Sequence, residues 1–159
     1  MKNFDSKQQK GSSLIEMVVA LFVLAIGMLG VMSMQLKSMQ FNQSAYYYSQ
    51  AVYLAYDILE GIRANPSMAS AYVIKLDDAT PTASVDCESD SVSCTPQQLK
   101  DWNLNNWRTN VASTLASGRS SIANDGSFVT ITVQFDDSRS AAEGTDGADL
   151  AEYVLVTEI

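Results

Sequence analysis

KGSSLIEMVVALFVLAIGMLG, residues 10–30, carries one acidic side chain at the front of a long greasy run. Glu16 follows Leu14 and Ile15, and from Met17 to Leu36 no side chain is charged. A helix of about 20 residues is about 30 Å long, the thickness of a hydrocarbon core. The run therefore predicts a membrane-spanning helix. An acidic side chain at the centre of such a helix costs about 2.5–3.5 kcal/mol on insertion scales. Glu16 stands at the water edge of the span, where its carboxylate reaches out cheaply. An ionisable residue in this setting is also a functional candidate in its own right.

The flanks orient the span. Lys2, Lys7 and Lys10 stand against Asp5 before it. A basic leader predicts the N-terminus inside and everything after Lys37 outside. A secretory signal has a shorter apolar core, about 7–15 residues, followed by small residues that invite cleavage. Here Ala20 and Ala25 lie inside the run and form no exit site. The small residues Gly11-Ser12-Ser13 come before it, so a cut there removes only the leader and leaves the helix in the mature chain.

The 159 residues leave room for one modest domain plus an appendage. A net charge of −8 argues against a nucleic-acid partner, which wants a basic face. The absence of histidine removes the commonest general base and the commonest metal ligand. No nucleophile–base pair, phosphate loop or ligand cluster stands out, so neither enzyme chemistry nor a cofactor is expected. Cys87 and Cys94 are an isolated close pair in a polar stretch, which fits a disulfide in an oxidising compartment. Asp86, Glu88 and Asp90 alternate as in some calcium loops, but the glycine and distal glutamate of such loops are missing. A solvated acidic loop is the better reading.

Beyond the run, Phe41, Ala45, Tyr48, Val52, Ala55, Leu59 and Ile62 recur in steps of four and three. That spacing predicts an amphipathic face on the same helix, about 50 residues in all. A break near Gln40 into two helices is the alternative. Asn65-Pro66 ends the helix, because the residue before proline leaves the helical region. Gly27 and Gly30 either soften the helix or admit a close neighbour. Tyr72-Val73-Ile74 reads as a short strand. Thr95, Pro96 and Gln98 form a capping-box start for a second helix carrying Leu104, Trp107, Val111 and Leu115, with Gly118 at its end. Trp107 reads as core. Phe128 to Phe135 alternates as a half-buried strand, and Tyr153 to Thr157 as another, with a polar loop over 136–149. The expected fold is α+β: a long N-terminal helix, half membrane-spanning and half amphipathic, packed on a small antiparallel sheet head.

Lys10-Gly11 followed by Ser12-Ser13-Leu14-Ile15-Glu16 resembles the class III signal of type IV pilins and pseudopilins. The resemblance implies cleavage by a prepilin peptidase between Gly11 and Ser12, and N-methylation of Ser12. It also implies a role for Glu16 as the charge that meets a neighbouring subunit's terminal amine and sets axial register. Ser12 departs from the family's usual phenylalanine or methionine, which leaves the efficiency of methylation open. The implied organisation is a leader over 1–11, a membrane half over 12–39, and a periplasmic head over 40–159 that includes the amphipathic half at about 40–64. Ser44-Ala45-Tyr46-Tyr47, Leu54 to Glu60, Arg63 to Pro66, and Phe135-Asp136-Asp137-Ser138-Arg139 look like the PilV family of minor pilins. That likeness implies a subunit that helps start the type IV pilus near its tip, in systems serving adhesion and twitching motility. The implied partners are other minor pilins, the major pilin, the prepilin peptidase, the inner membrane and a tip adhesin. A minor pseudopilin of a type II secretion or DNA-uptake apparatus is the alternative.

Overall fold

A computed structural model describes residues 14–89, 91–137 and 150–159. Its first element, α1, is one helix of 50 residues, Leu14–Arg63. No break falls near Gln40. No proline lies within α1, and the glycine penalty of about 1 kcal/mol each is small beside the helix-forming residues on both sides. A Cβ at Gly27 or Gly30 would meet nothing within 4 Å. Asn65, at φ −126° and ψ 61°, has left the helical region, and a 3₁₀ helix follows over Pro66–Ala71.

The chain divides into two units, residues up to Met39 and Gln40–Ile159. In the first, every described residue is exposed. The second has a core of its own. Ala51, Ala55, Ile58, Leu59 and Ile62 of α1 join Tyr72, Ile74, Leu104, Trp107, Val111, Leu115, Ile122 and the buried side of the sheet in one cluster.

The buried face of α1 differs from the spacing read in the sequence. Ala55, Leu59 and Ile62 are buried, but Phe41, Ala45 and Tyr48 are exposed and Val52 is only half-buried. The face is Ala51, Ala55, Ile58, Leu59 and Ile62, with Tyr47 and Leu54 packed at its margin. Ala51 and Ala55 on that face are fully buried, so it is built partly of small residues. Small residues register weakly in a hydrophobic pattern, so the true stripe was masked by its larger neighbours.

Helix α2, Pro96–Thr114, starts as its sequence predicts. Thr95 Oγ1 accepts from the Gln98 amide at 3.3 Å, and Gln98 Oε1 accepts from the Thr95 amide at 2.9 Å. Trp107 is buried, and its Nε1 donates to the Leu54 carbonyl at 2.8 Å, joining α2 to α1. The helix does not end on Gly118. It stops at Thr114, Leu115 is extended, and Ser117 takes the left-handed conformation at φ 52°. Gly118 answers a different need, close approach: a Cβ there would lie 2.3 Å from the Val111 carbonyl oxygen.

Strands β1 (Arg119–Asn124), β2 (Phe128–Phe135) and β3 (Ala151–Glu158) form an antiparallel sheet in the order β1-β2-β3. Ile122, Ile131 and Leu155 lie opposite one another across it. Val129, Ile131, Val133 and Phe135 are buried, as their alternation predicts, while Val154 and Val156 of β3 face out. Strand β1 was not legible: RSSIAN buries only Ile122 and Ser120. Its turn into β2 uses Gly126 at φ 95°. There the amides of Phe128 and Ser127 donate to the Asp125 carboxylate at 2.7 and 3.1 Å and hold its carboxyl below the usual range. The strand expected at Tyr72-Val73-Ile74 is a single bridge, Ile74 to Ile122. Tyr72 turns into the core, where its hydroxyl accepts from Asn103 Nδ2 at 2.9 Å and Asn65 Nδ2 at 3.3 Å. Side-chain satisfaction fixes that segment in place of a strand ladder.

Candidate assembly surface

Glu16 is the third residue of α1 and lies in its first turn. A carboxylate there is favoured by the positive end of the helix. Gly11 and Ser12 lie outside the described residues, so their geometry is not part of the site. After Glu16, Met17 to Leu36 present an apolar surface around the whole helix, and Lys37 is the next charge. By length and composition this helix is able to cross a membrane. The surface is large and continuous, far beyond the isolated apolar residues normal on a soluble domain.

The head adds a second set of features. Tyr46, Tyr53 and Tyr56 of α1 are exposed. Tyr48 meets Phe135 edge-on, with ring centroids 5.1 Å apart, and Tyr47 meets it at 6.3 Å. Ser44 Oγ donates to Asp137 Oδ2 at 2.7 Å. The segments Ser44–Tyr48 and Phe135–Asp137, far apart in the chain, thus come together. In the sequence they stand as two separate motifs. A lone serine and a lone aspartate carry no local pattern that would announce the pair. Ser138 and Arg139 of the second motif, and most of the loop read over 136–149, lie outside the described residues.

Cys87 and Cys94 are joined, Sγ to Sγ at 2.00 Å with Cα atoms 5.8 Å apart. The bonded loop leads directly into Thr95, the cap of α2. Asp86 Oδ1 accepts from the Glu88 amide at 3.0 Å, so that carboxylate closes a local turn. Asp90 is outside the described residues, and among those described no three acidic or cysteine side chains converge on a metal position. A cleft of about 380 Å³ lies between α1 and α2, lined by Asp57, Glu60, Glu88, Trp102 and Asn106 among others. Trp102 was not singled out from sequence. Its spacing on α2 is off the apolar stripe, which is the signal for a surface tryptophan.

Two family models match adjoining stretches of the chain, together residues 6–105. Residues 6–32 match the prokaryotic N-terminal methylation motif, and residues 33–105 match the family described as type IV pilin Tt1218. No curated protein and no solved structure matches the chain.

Proposed function

We propose that the chain is a type IV pilin, a component of a pilus or pseudopilus, and within that class a minor pilin of the PilV kind; the matches to the N-terminal methylation motif over residues 6–32 and to type IV pilin Tt1218 over residues 33–105 support the reading. In this reading it helps prime the type IV pilus with other minor pilins, near the tip, ahead of the major pilin. It is a structural subunit and not an enzyme. What carries the reading is a helix exposed along its whole first half, uncharged from Met17 to Leu36, whose start lies within the match to the methylation motif. A surface of that kind needs lipid or other helices to cover it, and a pilin has each in turn.

The proposed history of the chain follows from its residues. The basic leader keeps the N-terminus cytoplasmic, and the helix spans the bacterial inner membrane once with the head in the periplasm. Prepilin peptidase cuts between Gly11 and Ser12, freeing an amine of pKa about 7.7–8.0 on Ser12 before methylation. Glu16, four positions on, meets such an amine on an adjoining subunit. When the helix leaves lipid for the packed fibre, both charges lose water, and each then needs its partner. The oxidising periplasm suits the Cys87–Cys94 bond. A tip adhesin is a further partner of the exposed head.

Mass spectrometry of the mature protein tests the cleavage. A mass beginning at Ser12, with or without one methyl, is expected; an intact N-terminus, or a cut after the apolar run, would sink the reading. Glu16→Val is expected to insert and be cut yet fail to join fibres, and normal piliation in that variant would remove the role given to Glu16. The pseudopilin alternative rests on the same motif. A deletion that abolishes secretion and leaves pili intact would favour it.

A further inference from the structure

Glu16 and Lys37 are the only charged side chains between Leu14 and Tyr56. They are twenty-one positions apart along the helix, an axial distance of about 31 Å. At about 100° per residue the same interval returns Lys37 to within roughly 60° of Glu16, so both lie on one side of α1. Lys37 is exposed, and no acceptor for its ammonium is found among the described residues. In a bilayer the two charges sit at opposite surfaces, where each finds water. Side by side at one depth, two such helices cannot bring a Lys37 to a Glu16.

We propose that Lys37 pairs with the first-turn carboxylate of a second apolar helix of the same kind, raised by about one membrane thickness, ~31 Å, relative to this one. This rests on the assembly reading above and adds to it a second contact and an axial offset. The occupant is an apolar helix with an acid where this chain has Glu16. Helices gathered round a common axis, each with its charged side inward, satisfy both constraints. Lys37 of the lower helix then lies level with the carboxylate of the raised one. The carboxylate has two oxygens, so a terminal amine and an ammonium bind it together. Packed among apolar helices away from water, an ammonium with no carboxylate is strongly disfavoured. The pair therefore forms only after one subunit has been lifted past the other, which makes Lys37 a mark of extraction from the membrane as well as of its outer edge.

The full-length chain in its own cells tests this. Lys37→Glu is expected to be inserted and cut like the natural chain but to fall at least tenfold in sheared fibres, while Lys37→Arg enters them normally. A photo-crosslinking residue at Gln40, one turn from Lys37, is expected to join the fibre chain to a neighbour's first helical turn, identified by peptide mass. Normal entry of Lys37→Glu into fibres, or cross-links to lipid or heads alone, would overturn the pairing and leave the assembly reading standing. Absence of the unaltered chain from fibres would overturn both.

Discussion

A methyl group at position 118 would sit 2.3 Å from the Val111 carbonyl oxygen and 3.1 Å from Leu115 Cβ. The first neighbour is backbone and has nowhere to swing. Gly118→Ala therefore forces the end of α2 away from the start of β1, at a cost of about 2 kcal/mol. The check is a thermal melt of the head, where a fall of several degrees is expected and an unchanged midpoint would contradict the close approach. The position shows where reading a sequence succeeds and stops. Glycine after a helical run was legible as a terminus, but the φ > 0 residue is Ser117. Gly118 answers instead to the Val111 carbonyl oxygen, seven residues back, which leaves no room for a Cβ. Thr95 and Gln98 were legible in full, because a capping box is a purely local set of partners. The candidate charge Glu16 was legible for the same reason: it interrupts a uniform run.

Elements were legible in proportion to their internal pattern. Helix α1 declared itself by length, β2 by four buried residues in alternation, and α2 by cap and stripe. Strand β1 has one large apolar side chain and exists because β2 offers it a ladder and Ile74 a bridge. No pattern within six residues encodes partners that lie elsewhere. The segment between Tyr72 and Thr95 behaves similarly, since long-range bonds fix it. Its disulfide spans a sequence separation of seven. Closing so small a loop contributes about 2 kcal/mol, mostly through the unfolded chain. Replacing both cysteines by serine should lower the melting midpoint by several degrees and leave the far-ultraviolet circular dichroism unchanged, because neither cysteine belongs to the core. Loss of the folded spectrum would show that the bond organises the head rather than bracing it.

The molecule is two things in one chain, and each obeys its own solvent. Residues 14–39 bury nothing, while the buried core of the second unit starts at Ala51, with Tyr47 packed against it. Residues 40–159 produced alone should fold and melt cooperatively; a gradual, uncooperative loss of circular dichroism would show that the core is incomplete. The exposed connection on that head is held in an unusual way. Asn105 Nδ2 donates to the Pro81 carbonyl at 2.7 Å, and Arg108 donates to the carbonyls of Asp78 and Leu76 at 2.6 and 2.9 Å. Asn65 Nδ2 reaches the Pro96 carbonyl at 2.8 Å in the same manner. Every amino acid supplies a carbonyl, so these clamps do not read the identity of the residues they hold. The Arg119–Asp77 ion pair is an exception, out in water where it contributes little. The outward side chains of this loop are thus free to drift while its path stays constant. A head built this way can change the outward side chains of this loop without changing how the loop is held.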